Sequence, residues 1–369
     1  MTSGVKDSRR GGTVSGGPEG KSPRRWGRWA LTGLGGLILL AGLWLAVTPL
    51  GRYLARAGWE EAKILWARRP IAEVAGDSTT PAALRGRLQL VLEARRFAED
   101  SLGLPAKQVF TQFTQLRSDT LVLVLSGARR DALEPVLWRF PLVGRLPYKG
   151  FFRVEDALRA ESTLVADGFD TYLRPASAFS TLGWFNDPLL STTAAQDSVQ
   201  LVNTVIHELT HNRYYAASDA PFNESFANFV GARGAERFFR ARGDTVRANQ
   251  AAAEWADERA LAAFWGQLYR ALDAAFAGAP GEAARPRRLA LRDSIYAVAR
   301  RTLVDSLAPR WRTISPLYAE RVRLDNAALL ARGIYLTDLD AFEAAYRDSG
   351  ENLAGTIDTL VTRHMNRSK

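Results

Sequence analysis

The chain reads as an α+β fold preceded by one transmembrane helix. Three features predict this: a charge-free apolar run at 29–50, short strand-like segments confined to the stretch between about 120 and 187, and helical periodicity from Asp197 onward. At 369 residues there is room for one large domain or two moderate ones besides the appendages. The expected layout is a basic tail at 1–28, a membrane helix at 29–50, a mixed α/β part at 51–195 and a helical part at 196–369.

The tail is rich in Gly, Ser, Pro and Arg, a composition that cannot offset ordering entropy. It also holds Lys6, Arg9, Arg10, Lys21, Arg24, Arg25 and Arg28, much of the net charge of +10. The remaining positive charge is scattered among acids with no recognition motif, so nucleic acid is not an expected partner. From Trp29 to Leu50 no charged residue occurs. A helix of that length rises about 33 Å, enough for a bilayer core of about 30 Å. A cleaved signal peptide is the competing interpretation, but its apolar region is shorter and no small-x-small site precedes Gly51. A retained single-pass anchor therefore predicts an inner-membrane protein with the tail in the cytoplasm and the bulk of the chain periplasmic. Arg52, Arg56 and Lys63 weaken that asymmetry without reversing it. The chain has no cysteine, which removes disulfides, thiolate metal sites, Cys nucleophiles and a lipid-bearing Cys.

After the span, Leu84, Leu88, Val91, Ala94, Ala98 and Leu102 recur at helical spacing, and Gly103 with Pro105 stops the run. Thr120–Ser126 and Val136–Val143 read as strands. A helix from about Glu155 to Asp167 ends at Gly168, and Phe169–Leu173 comes next as a strand. Ser177–Asp187 looks extended until Pro188. Trp255, Leu261, Ala262, Trp265, Leu268, Tyr269 and Leu272 form an apolar stripe on a long helix; Leu324–Ile334 and Leu339–Tyr346 are shorter helical candidates.

His207-Glu208-Leu209-Thr210-His211 carries the chemistry. Residues i and i+4 share a helix face, so both imidazoles can address one Zn2+ ion while Glu208 sits beside the open coordination position. Asp197 or Ser198 can cap this helix, and Val202, Val205, Ile206 and Leu209 supply its apolar side. The chain has only three histidines, so two at this spacing point to a metal rather than to coincidence. A catalytic zinc takes three protein ligands and leaves one position open. His364 lies far away in the tail, leaving Asp219 and Glu224 as carboxylate candidates. Ser218–Pro221 reads as a turn, and Asn223 as the cap of a second helix. In such a hairpin His211 and Glu224 lie about equally far from the bend, which favours Glu224 over Asp219. Asn228, one turn beyond, is placed to hold a ligand imidazole.

With these segments on view, the chain resembles a bacterial family of predicted aminopeptidases, zinc-dependent and of the gluzincin type. The carrying segments are Arg68-Arg69-Pro70-Ile71, Phe97-Ala98, Leu102–Pro105, Tyr148–Phe152, Phe179–Pro188, Ile206–His211 and Phe222–Ala227. The resemblance implies a zincin-like catalytic domain, zinc on His207, His211 and Glu224, and Glu208 as the catalytic carboxylate. Two departures stand out. Many relatives carry a lipid-bearing N-terminal Cys, where this chain has an apolar span, and some carry Cys near Arg139 and Arg145.

The expected reaction is peptide hydrolysis by water activated at zinc, with Glu208 as general base. The oxyanion would need a further donor, for which Tyr148, Tyr214, Tyr215 and Tyr335 are candidates. Ser177–Asp187 is a candidate edge strand for substrate, with Trp184 and Phe185 shaping the pocket and Asp187 holding a free α-amine. Two other readings compete: a zinc endopeptidase of envelope proteins, and a non-catalytic membrane-anchored zinc-binding module.

Overall fold

A computed structural model describes residues 24–116, 122–140, 144–176, 188–217, 219–333 and 338–367; the side chains of 24–32, 38 and 41 lie outside the description. Contacts divide the chain into two compact units, Met1–Trp59 and Glu60–Lys369. Helix α1 (Arg24–Val47), in the first unit, ends three residues short of the expected Leu50, and α2 (Pro49–Trp66), whose last residues belong to the second unit, begins at once. Pro49 explains the break, because it lacks an N–H and disfavours helical geometry at Thr48. Thr48 then caps the new helix: its Oγ1 accepts from the Gly51 N–H at 2.9 Å. Among the described residues no single helix is long and apolar enough to cross a membrane; the bent pair Gly33–Val47 and Pro49–Trp66 reaches that measure only jointly, by length and composition alone.

After α2 come β1 (Arg69–Pro70), α3 (Ile71–Gly76) and α4 (Ala82–Leu102). In α4 the expected stripe faces inward: Leu88, Val91, Ala94, Ala98 and Leu102 are buried, and Gly103 closes the helix at φ 65°. Then come β2 (Gln112–Thr114), β3 (Val122–Arg129), β4 (Trp138–Phe140), β5 (Gly144–Leu146), β6 (Tyr148–Phe151), α5 (Val154–Ala166) and β7 (Phe169–Ala176). Strand β3 is the centre of an antiparallel sheet ordered β6–β3–β7, with Ser126 opposite Tyr148 and Leu125 opposite Leu173. Helix α5 covers one face, where Leu125, Phe151 and Ala157 form a small core. The stretch read as one strand at 136–143 contributes only β4 among its described residues, paired with β5 as a separate hairpin. The candidate edge strand at 177–187, with Trp184, Phe185 and Asp187, lies outside the described residues, as does Tyr335.

Strand β8 (Leu189–Leu190) pairs parallel with β2, whose other neighbour is β1. From α6 (Ser191–Ala194) onward the chain is helical: α7 (Ser198–Arg213), α8 (Ala220–Ala241), α9 (Thr245–Ala277), α10 (Arg285–Arg301), α11 (Pro316–Arg321), α12 (Asn326–Gly333), α13 (Leu339–Asp348) and α14 (Leu353–Arg367). The largest core joins both halves of the chain, packing α3 and α4 against α7, α8, the start of α9, α13 and α14. Each aliphatic or Phe side chain buried there stabilises the fold by about 1.5–3 kcal/mol. Polar joints tie the β3 sheet to the helices. Asp170 of β7 pairs with Arg292 of α10 and accepts the Asn326 N–H at 3.0 Å; Asp131 accepts from Arg288 at 2.7 Å.

Candidate metal centre

Helix α7 carries the histidines and owes its start to Asp197, whose Oδ1 accepts from the N–H groups of Val199 (2.8 Å) and Gln200 (3.1 Å). Its buried face comprises Val199, Leu201, Val202, Val205, Ile206, Leu209 and Thr210, which leaves His207, Glu208 and His211 half-buried. Helix α8 folds back against α7 after a short turn. The expected cap is corrected here: α8 begins at Ala220, and Asp219 caps it by accepting the Phe222 N–H at 3.1 Å. Asn223 lies inside the helix and has a different task. Its amide clamps both backbone groups of Ala216, accepting from N at 2.8 Å and donating to O at 2.8 Å. It is buried to 2% exposure, and its amide is spent on the hairpin turn.

The α7–α8 crossing is tight because α8 presents glycine there. A Cβ on Gly231 would stand 2.9 Å from the Asn203 carbonyl oxygen and 3.2 Å from His207 Cβ; one on Gly234 would stand 2.8 Å from Ile206 Cγ2. This approach brings Glu224 to both histidines, with Nε2–carboxylate separations of 3.6 Å to His207 and 3.7 Å to His211. The ligand atoms of His207, His211 and Glu224 all lie within 4.8 Å of one another. Ligands about 2.0–2.2 Å from a tetrahedral ion are about 3.4 Å apart, so the donor set and its spacing fit one metal ion. The three side chains keep 15, 21 and 27% exposure, recessed yet open to solvent.

The electrostatics suit a cation. Burial alone would pull the His207 pKa down, but the Glu224 contact and the charges of Glu208, Glu224 and Glu258 hold it above the ordinary value. His211 goes the other way, to about 4, through burial and the positive His207 beside it. Glu224 is held below the usual carboxylate range because the two imidazoles outweigh its burial. The raised pKa of His207 thus favours positive charge where a metal ion would sit, while the lowered pKa of His211 keeps that imidazole neutral and able to ligate. The Nδ1 of His211 is buried without a hydrogen-bond partner among the described residues. Its ring is oriented by edge-on packing against His207 and Tyr215, at centroid distances of 5.0 and 6.1 Å.

The remaining candidates separate cleanly. Asp219 is committed to the cap and to His364 Nε2 at 3.1 Å, so it does not compete as a ligand. His364, on α14, hydrogen-bonds through Nδ1 with the Tyr214 hydroxyl at 3.0 Å and stacks on Phe222 at 3.7 Å. Tyr214 is therefore engaged below the turn, whereas Tyr215 borders the centre. Tyr148, on the edge strand β6, has its pKa raised by burial and by the charge of Glu224, which places its hydroxyl in the field of the site. Asn228 is half-buried one turn beyond Glu224 on α8. Sequence reasoning missed Glu258 and Glu254 on α9. Burial pushes the Glu258 carboxyl up to about 7, with the His207 charge opposing and Glu254 adding to the rise.

A family model described as Putative aminopeptidase matches residues 52–365, nearly all of the chain beyond α1. The chain belongs to this family. No curated protein and no solved structure matches it. The match spans the α7–α8 hairpin, the β3 sheet and the C-terminal helices alike, and membership indicates peptidase activity.

Proposed function

We propose that the chain is a zinc-dependent aminopeptidase tethered to a membrane by its N-terminal helix. The observation that carries the reading is the convergence of His207, His211 and Glu224 on one point, with Glu208 alongside, in a chain of an aminopeptidase family. A zinc ion held there supplies Lewis-acid polarisation of a peptide carbonyl and lowers the pKa of water toward neutrality.

The chain's own residues do the rest. Glu208 comes directly after His207 on α7, and its carboxylate takes the proton of the attacking water and passes it to the departing amine. The Tyr148 hydroxyl, kept protonated by its raised pKa, is the donor for the developing oxyanion, with Tyr215 as the second choice. Neutral His211 and the low-pKa Glu224 carboxylate remain in their ligand forms at neutral pH. Support for the tether comes from α1, where Leu37, Leu39, Leu40 and Leu43 are 60–75% exposed with no charged residue among them.

Glu208→Gln tests the mechanism. Hydrolysis should fall by about 10²–10⁴-fold, the range of general acid–base catalysis, while metal content stays unchanged. Retained hydrolysis in this variant would remove Glu208 from the chemistry. A preference for free over N-acetylated peptides separates exopeptidase from endopeptidase action. Extraction of the full chain by alkaline carbonate would refute the tether.

A further inference from the structure

One turn before His207 on α7, Asn203 lines a cavity of about 330 Å³ that also touches Gln200. Its opposite wall is α9, which contributes Glu254, Trp255 and Glu258. Glu254 and Glu258 are i and i+4, so both carboxylates lie on one helix face and border the same space. Glu254 is engaged by Gln250, whose amide donates to it at 2.8 Å. Glu258 makes no hydrogen bond or ion pair among the described residues, although it is half-buried and its charge acts on His207. The roof is fixed as well. Thr313 and Ile314 line the cavity, and their loop is held by Asp257, whose carboxylate accepts from the N–H groups of Arg312 (2.9 Å), Thr313 (2.7 Å) and Ile314 (3.3 Å) and from the Thr313 hydroxyl (2.8 Å). Asp257 precedes Glu258, so the bonds that shape the roof also hold the turn of α9 carrying the free carboxylate.

A sheltered carboxylate with no partner calls for a cation or a donor. The cavity wall offers two acids and the amides of Gln200 and Asn203, with no Lys, Arg or His among its lining residues. Its Asn203 end lies one turn from a metal-ligand candidate. In a peptide the α-ammonium is separated from the first scissile carbonyl by one carbon, so the subsite for it must adjoin the metal centre, as the Asn203 end of this cavity does one turn of α7 away.

We propose that Glu258, supported by Glu254, binds the free α-ammonium of the substrate, making this cavity the subsite that restricts cleavage to the first peptide bond. The inference rests on the aminopeptidase reading. It adds the residue that would distinguish exopeptidase from endopeptidase action. No covalent step is involved; the ammonium replaces water at the Glu258 carboxylate while the first side chain occupies the cavity.

The test uses the full zinc-loaded chain and a set of tetrapeptides differing in the first residue, each with a free and an acetylated N-terminus. Wild-type protein should favour the free peptides. Glu258→Gln keeps the shape and removes the charge; it should lower kcat/KM for free peptides roughly tenfold to a hundredfold, the worth of one charge-assisted hydrogen bond. The loss on acetylated peptides should be much smaller than on free ones, and the chain should still load one zinc ion. Glu254→Gln should give a smaller loss in the same direction. Calorimetric binding to Glu208→Gln and to the Glu208→Gln/Glu258→Gln pair provides a readout independent of turnover: the free peptides should lose affinity and the acetylated ones should not. Equal losses for both peptide classes, or a loss of metal, would make Glu258 a positioning residue for His207 and overturn the proposal. Unchanged kinetics would overturn it too. If the wild-type chain itself fails to favour free N-termini, the aminopeptidase reading falls first, and the proposal falls with it.

Discussion

Replacing Gly231 with alanine adds one carbon where α7 and α8 are closest. That carbon would overlap the Asn203 side-chain oxygen and stand 2.9 Å from the Asn203 backbone carbonyl and 3.2 Å from His207 Cβ, against comfortable separations of about 3.5–4.0 Å. The helices must part by several tenths of an ångström, or Asn203 and His207 must shift. Overpacking of this kind costs about 1–3 kcal/mol, of which about 1 kcal/mol returns through the better helix propensity of alanine. Gly86 in α4 makes the matched control, because a Cβ there meets nothing within 4 Å. Gly86→Ala should stabilise the fold by about 0.5–1 kcal/mol, so the two variants should move in opposite directions in urea unfolding. The metal centre adds a second readout. His207 lies on α7 and Glu224 on α8, so parting the helices should weaken zinc binding about tenfold or more in a chelator competition, and Gly86→Ala should leave it unchanged. If Gly231→Ala is as stable as Gly86→Ala and binds zinc as tightly as wild type, the close crossing does not set the site.

The same geometry makes four further outcomes testable. Glu224→Ala should abolish tight zinc binding, whereas Asp219→Ala should keep it and lose about 1–2 kcal/mol of stability with the α8 cap, measured by urea unfolding beside a zinc titration. Asn223→Ala leaves the buried N–H of Ala216 unpaired, while its C=O keeps the Asp219 N–H at 3.3 Å, and should cost about 1–3 kcal/mol in the same unfolding assay. The proton on His207 must leave before a metal ion enters. Zinc affinity should therefore fall about tenfold per pH unit below the His207 pKa, which lies above 6.5, and level off above it. The metal-free chain should behave oppositely. A raised histidine pKa contributes stability that is present below 6.5 and lost as pH rises through the folded value, which urea midpoints across pH 5–9 would show.

Parts of this architecture are legible in the sequence because their causes are local. The α4 stripe and its Gly103 terminator are written within about twenty residues, and so is the capping by Asp197. The meeting of Glu224 with His207 and His211 is legible for a related reason: a helical period and a short turn suffice to place it. Asn223 reads as a cap because an asparagine just after a Pro suits a cap and a turn clamp equally; the clamp is decided by Ala216, seven residues back. Hydropathy carries the span to Leu50 because it does not register the break that Pro49 imposes. Strand β3 runs to Arg129 through Gly127 and Ala128, residues with no strand preference of their own, because β7 supplies the ladder up to Phe169. Long-range partners leave no trace at all. His364 reaches Asp219 across 145 residues, and Glu258 meets the field of His207 only because α9 folds back along α8.

Calorimetric titration of zinc into the chelator-stripped chain tests the central claim most directly. Wild-type protein should take up one ion per chain at a saturable site, and Glu224→Gln should weaken that uptake about a hundredfold or more, as expected when one of three ligands is lost. Equal binding by wild type and Glu224→Gln, or no saturable site in wild type, would contradict a metal centre built from His207, His211 and Glu224.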